Sequence, residues 1–352
     1  MDVCSLIAAI RAFLQSECNK KLTVRLLEGS NQKCEVCLDA SKDVEESLDV
    51  LKRYLSGTGQ IPQRISLGEI GELLVREVSG PGRLQAKVAV VTGGAQGLGE
   101  AFARRLLVQG AMVVIADRNV QMGEKLEQEL QLSGEAIFVE TDVSSAKSVE
   151  ALVEKSVKRF GGIDILLSNA GIVYAGGLDM ATEEEFDRIS EVNFKGYFLC
   201  VRACSKIMKM QTHYDKKSYA DIIQINSKSG LRGSKANFMY SSSKFAGIGL
   251  TQSFALELAP FRIKVNSICP GNYYDGELWS NPKNGLFVQY LNAGKVPGAK
   301  TVEDVKQYYL SQVPMRKGCS PDEIFRAIIY AIEQTGETGQ AIPVTGGQTM
   351  LN

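Results

Sequence analysis

Residues 87–106, KVAVVTGGAQGLGEAFARRL, read as a short apolar strand, a glycine-rich turn and the start of an amphipathic helix. Gly93, Gly97 and Gly99 let the backbone turn tightly and approach a pyrophosphate, whose charge a helix N-terminus favours. Gln96 and Leu98 lie in the same turn and belong to the same candidate cradle. Such a turn is weak evidence alone, but between a strand and a helix it is a dinucleotide-binding signature. The next apolar run, AMVVIAD, ends in Asp117. A carboxylate there can accept hydrogen bonds from ribose hydroxyls and would repel a 2′-phosphate, which favours NAD over NADP. Arg118 beside it keeps NADP open, since a guanidinium could accommodate that phosphate.

Outward from this stretch the pattern repeats. KVAVVT, AMVVIAD, AIFVE, IDILLSN, DIIQIN, IKVNSIC and AIPVT are apolar runs rich in Val and Ile, separated by longer amphipathic stretches. Near-continuous apolar strands alternating with helices predict an α/β fold: a doubly wound, seven-stranded parallel sheet covered on both faces. Ligands should gather at the C-terminal ends of its strands. This unit is expected over 83–352, because SGPGRLQAK (79–87) interrupts the preceding pattern.

Residues 1–82 read as a small α/β module: a helix over about 2–17, a hairpin through KLTVRLLEGSNQKCEVCLD, and two further helices. One helix opens near Ser41; the other is SLGEIGELLVREV, where Ser66 and Glu69 resemble a capping box. Packing or assembly is the expected role. Cys34 and Cys37 form a lone C-x-x-C, and on a strand these positions face opposite sides, so no metal site is assigned.

Forty basic and forty acidic side chains in 352 residues give no net charge, which removes a general electrostatic case for nucleic acid or an anionic membrane. No apolar run approaches the roughly 18–20 residues that span a bilayer. The N-terminus carries Asp2 and Arg11 rather than a basic n-region, so a cytoplasmic protein is expected. The single histidine, His213, lies in a polar stretch, which makes histidine-centred catalysis a poor fit.

Tyr240 and Lys244 are four residues apart on an expected helix and share a face. An ammonium beside a phenol favours the phenolate, so Lys244 is expected to lower the Tyr240 pKa and make it a proton acceptor without histidine. Ser227, at a strand end thirteen residues earlier, can hold the substrate oxygen beside that phenol.

Together with Asp142-Val143 and Asn169-Ala170-Gly171 after the third and fourth strands, these motifs resemble the short-chain dehydrogenase/reductase family from about Lys87 onward. The resemblance implies a Rossmann fold, with Asp142 and Val143 near the adenine and Asn169, Ala170 and Gly171 shaping the cofactor pocket. It adds Asn193, in EVNFKGYF, to the Ser227, Tyr240 and Lys244 set, holding a water that links the lysine to solvent. It implies that Lys244 binds the nicotinamide ribose and that Pro270-Gly271 form the turn beside the nicotinamide. A homo-oligomer, tetramer or dimer, is also implied.

About fifty residues, 271–320, separate the sixth strand from the next clear helix and form a candidate lid. Its aromatics, Tyr273, Tyr274 and Trp279, could face a ligand or form lid core. Lys228, Arg232 and Lys235 after the serine, with Asn272 and Arg316 at the two ends of the lid, are candidate substrate residues that could converge on an anion. Electrostatics alone leave this open, since loop charges are usually solvated. The segments IIQINSKSG, YSSSKFAGIGLTQSFALELA, QYYLSQVPMRKGC and VTGGQTM resemble the polyol-phosphate branch of the family. That implies interconversion of a polyol phosphate and a ketose phosphate with NAD. The alternatives are a dehydrogenase of an unphosphorylated polyol and a non-catalytic NAD-binding scaffold.

Overall fold

The computed structural model describes residues 2–29, 32–174, 176–235, 237–292 and 294–350. The first four strands, β1 (Leu22–Leu27), β2 (Val36–Cys37), β3 (Arg64–Ser66) and β4 (Glu72–Glu77), form one small sheet in the order β1-β4-β3-β2. The other seven, β5 (Val88–Thr92), β6 (Met112–Asp117), β7 (Ala136–Glu140), β8 (Ile165–Ser168), β9 (Ala220–Ile225), β10 (Ile263–Pro270) and β11 (Ala341–Val344), are the seven expected apolar runs. They pair in parallel throughout, in the order β11-β10-β9-β8-β5-β6-β7. Strand order reverses between β5 and β8, so a crevice opens at the C-terminal ends of those two strands.

Every residue of β5, β9 and β10 is buried, including the polar Gln224, Lys264 and Asn266, which explains the near-continuous apolar reading of strands covered on both faces. The helices α1 (Val3–Cys18) and α2 (Val44–Thr58) belong to the N-terminal part. The helices α3 (Gly97–Val108), α4 (Val120–Gln131), α5 (Ala146–Phe160), α6 (Glu183–Ile189), α7 (Gly196–Tyr214) and α8 (Phe238–Leu258) follow the strands. The lid carries α9 (Glu277–Ser280), α10 (Leu286–Asn292) and α11 (Val302–Ser311), and α12 (Pro321–Glu333) leads into β11. Phe102, Leu106, Leu126 and Ile328 fill one face of the large sheet under α3, α4 and α12. Leu152, Val157, Cys204 and Met208 fill the other, under α5 and α7.

The N-terminal part corrects two expectations. The hairpin does not form: β1 pairs antiparallel with β4, and β2 pairs in parallel with β3. Part of the expected hairpin turn, Ser30 and Asn31, lies outside the described residues. SLGEIGELLVREV is not a helix but β3 leading through a short 3-10 turn into β4. Gly68 (φ +64°) and Gly71 (φ +134°) take backbone conformations that a helix cannot use, and Leu73 and Val75 then alternate into the core. The α2 helix is capped by Asp43, which accepts from Glu46 N at 2.8 Å, rather than by Ser41.

Residues 6–12 of α1 are all buried, as expected of a helix sandwiched on every side. α1 packs on α7 and α5, so the small sheet and the large sheet share one apolar core. Arg11 is 1% exposed within it. Its Nη2 lies 2.8 Å from Asp164 Oδ2 and donates to Ala86 O at 2.5 Å. Asp164 precedes β8 and accepts from Val88 N, at the start of β5, at 2.7 Å. The pair therefore sits at the N-terminal ends of the strands, away from the crevice.

Candidate active site

A cleft of about 1050 Å³ lies at the C-terminal ends of the large sheet. Its cofactor half starts at the glycine turn. Gly97 begins α3 at φ +59°, with open space where a side chain would be. A Cβ on Gly99 would fall 1.9 Å from Gly93 O, so only glycine lets turn and helix approach this closely. Asn169 Nδ2 donates to Thr92 O and Gly93 O at 3.0 Å each, while Thr92 Oγ1 accepts from Asn169 N and Ala170 N at 3.0 and 3.1 Å. The two turns are thus one cradle, in which Gln96, Leu98, Ala170 and Gly171 also face the cleft.

Asp117 ends β6, where its carboxylate accepts from Ala95 N and Asn119 N at 3.0 Å each. Asp142 and Val143 line the same end. Burial pushes the Asp142 carboxyl up, but hydrogen bonds from Ser144 and the Arg118 and Arg188 charges hold it below its ordinary range. Pro270 and Gly271 border the cleft opposite, fixed by Gly271 N donating to Val344 O at 2.8 Å. A helix N-terminus, a glycine cradle and a strand-end carboxylate in this order fit a dinucleotide.

The catalytic candidates converge at the other half. Ser227 leaves β9, and Tyr240 and Lys244 share a face of α8. Ser227 Oγ accepts from Ser229 N at 3.1 Å and lies close enough to the Tyr240 phenol to draw its pKa down. Lys244 Nζ donates to Ile225 O at 2.9 Å and lies 5.6 Å from the Tyr240 ring centroid. Burial holds the lysine down at about 8. One expectation is corrected: Tyr240 is raised rather than lowered, because burial disfavours the phenolate, and the group pulling it back is Ser227 rather than Lys244.

Asn193 does not line the cleft but sits behind it, buried in a π-helical stretch (190–195) between α6 and α7. Its side chain clamps the Ile172 backbone, accepting from N at 2.8 Å and donating to O at 2.9 Å. Asn193 Oδ1 and Lys244 Nζ both lie within 4 Å of where a Gly171 Cβ would be, so the two groups flank this glycine.

Of the candidate substrate residues, Lys228, Arg232, Lys235 and Asn272 line the cleft. Arg316 does not: at φ +55° the backbone turns it outward, and its guanidinium donates to Ser311 O at 2.8 Å. Trp279 and Tyr274 form lid core with Phe287 and Tyr290, their ring centroids 5.0–5.8 Å apart. Sequence reasoning missed Tyr290, Lys295 and Gln348, which also line the cleft. Only Gln348 carried a signal, as part of VTGGQTM.

A dinucleotide cradle facing a serine, a tyrosine and a lysine at a strand end defines a dehydrogenase acting on an alcohol or its carbonyl. The family model "short chain dehydrogenase" matches residues 87–281, and the chain belongs to that family. It is 38% identical over 270 residues to sorbitol-6-phosphate 2-dehydrogenase of Escherichia coli, covering 75% of this chain and 99% of that one. The solved structure of sorbitol-6-phosphate 2-dehydrogenase SrlD from Erwinia amylovora superposes with a TM-score of 0.68 at 35% identity, over 75% of this chain and all of that one. 3-Ketoacyl-(acyl-carrier-protein) reductase from Brucella melitensis, solved with NADH, gives 0.63 at 28% identity over 76% and 100%.

Proposed function

We propose that the chain is an NAD-dependent dehydrogenase interconverting a sugar-alcohol phosphate and a keto-sugar phosphate, with sorbitol 6-phosphate and fructose 6-phosphate as the pair. The observation carrying this reading is the charge at the substrate end of the cleft. Lys228, largely buried and adjacent to Ser227, faces that end, whereas the only carboxylates lining the cleft among the described residues are Asp117 and Asp142 of the cofactor half. The likeness to sorbitol-6-phosphate 2-dehydrogenases supports the same substrate class.

The glycine turn would hold the pyrophosphate, Asp117 the adenosine ribose and Lys244 the nicotinamide ribose. Bound NAD supplies the hydride acceptor. Ser227 Oγ orients the substrate hydroxyl, and the Tyr240 phenolate oxygen takes its proton as the hydride leaves the same carbon. Ser227 is the group that draws the Tyr240 phenol back toward the phenolate against its burial. Asn193, clamped to the Ile172 loop beside Lys244, fixes the place where the proton leaves the lysine for solvent.

A panel of polyols and polyol phosphates, followed by NADH formation, tests the substrate. A phosphorylated polyol is expected to exceed its unphosphorylated counterpart in kcat/KM by at least about tenfold, the yield of one charge-assisted contact. Comparable values would remove the phosphate from the reading.

Asp117→Ala tests the cofactor. Loss of the ribose contact and of the repelling charge should raise the KM for NAD and lower that for NADP, shifting preference by roughly ten- to a hundredfold. An equal change for both cofactors would reject Asp117 as the selector.

A further inference from the structure

We propose that the substrate's phosphate is gripped from two sides, by Lys228 from the sheet and by Lys295 from the lid, and that Lys295 sets the preference for phosphorylated over unphosphorylated substrate. The proposal rests on the polyol-phosphate reading above and assigns the phosphate subsite within it.

Lys295 lies just beyond α10, on a lid held together by its own aromatic core. Its Nζ sits 3.8 Å from the centroid of the Tyr290 ring, and burial lowers its pKa. Tyr290 and Tyr240 line the same cleft. Lys295 and Lys228 therefore line one cleft, Lys295 from the lid and Lys228 from the end of β9 beside Ser227.

The two ammonium groups repel. Lys295 and Arg232 both press on the charge of Lys228, which burial holds down at about 8. None of these three cations has a carboxylate partner among the ion pairs of the described residues. Two other buried cations of the described residues are paired with carboxylates: Arg11 with Asp164 and Lys264 with Asp221. Bringing unpaired like charges together in a half-buried cleft is unfavourable unless an anion joins them. A phosphate dianion would supply the missing charge and accept from both ammonium groups.

The two lysines are not equivalent. Lys228 Nζ already donates to Gln348 Oε1 at 2.8 Å. Lys295 has only a ring face, and no oxygen partner is recorded for its ammonium among the described residues. A phosphate would therefore add the first oxygen ligand to Lys295, whereas at Lys228 it would join an existing one. A long lid-borne side chain resting on an aromatic ring also preserves its packing when only its charge is removed.

The test compares Lys295→Met and Lys295→Arg with the unaltered enzyme on a polyol phosphate and the matching free polyol. The readout is the ratio of the two kcat/KM values, in which the fraction of active enzyme cancels. In Lys295→Met the ratio should fall about tenfold or more, chiefly through the KM of the phosphorylated substrate. Lys295→Arg, which keeps the charge, should retain most of the ratio. An unaltered enzyme that favours the phosphate, together with an unchanged ratio in Lys295→Met, overturns this assignment alone. An unaltered enzyme with no such preference overturns the substrate reading, and this assignment with it.

Discussion

Tyr240→Phe should lower kcat by about 10²–10⁴-fold, the usual contribution of a positioned general base, while NAD still binds. Phenylalanine keeps the ring and removes only the phenol oxygen, the group whose pKa Ser227 influences. The cradle around Gly93, Gly97 and Asn169 is built from β5, β8 and α3, and does not depend on the phenol. Steady-state rates and equilibrium NAD binding should therefore separate: turnover lost, affinity within a few-fold. The same separation distinguishes an enzyme from an NAD-binding scaffold, which would show no turnover to lose. Retention of full activity in Tyr240→Phe would mean that another group takes the proton. His213, the only histidine in the chain, stacks edge-on against Tyr214 at the end of α7 and does not line the cleft.

The large sheet could be read strand by strand because a parallel strand covered on both faces is near-continuously apolar, even though Lys264 and Asn266 interrupt β10. VAVVT and IKVNSICP are buried at every position. The site was readable for a related reason: Tyr240 and Lys244 are fixed to one helix face by spacing alone, and Ser227 by the end of a strand. The small sheet was not, because its pairing is non-local. β1 finds its partner β4 about fifty residues later, and nothing within KLTVRLLEGSNQKCEVCLD announces it. SLGEIGELLVREV carries a convincing capping pattern, yet Gly68 and Gly71 break the helix that the pattern promises. Lys295 was unreadable because its place depends on how Trp279, Phe287 and Tyr290 pack, which has no local period. Arg316 failed in the opposite way: near the cleft in sequence, it is turned aside by one left-handed residue conformation.

Arg11→Met should destabilise the whole protein by about 3–5 kcal/mol, although it lies in the part that the family model does not match. We read residues 1–82 as a structural cover rather than an independent unit, and Arg11 is where that reading is most exposed to test. Its removal leaves Asp164 charged, 7% exposed and without its closest cation; Lys87 is 3.9 Å away. Burial alone would raise the Asp164 carboxyl, but the Arg11 and Lys87 charges and the Arg11 and Val88 hydrogen bonds hold it below its ordinary value. A depressed folded-state pKa gives stability that is present above the unfolded value, near 4, and is lost as pH falls through the folded one. In Arg11→Met burial dominates and the sign reverses, so Asp164 costs stability as pH rises above about 4. The difference between the two proteins in urea unfolding should accordingly be full near pH 7, shrink as pH falls toward about 4 and shrink further below it. Adding Asp164→Asn removes the stranded charge while keeping an acceptor for Val88 N, and should recover more than half of the loss. Because the pair sits at the N-terminal ends of β5 and β8, kcat per folded molecule should stay within about twofold, as expected of independent sites. A loss below about 1 kcal/mol, or one independent of pH, would show that the N-terminal part does not depend on this pair for its attachment.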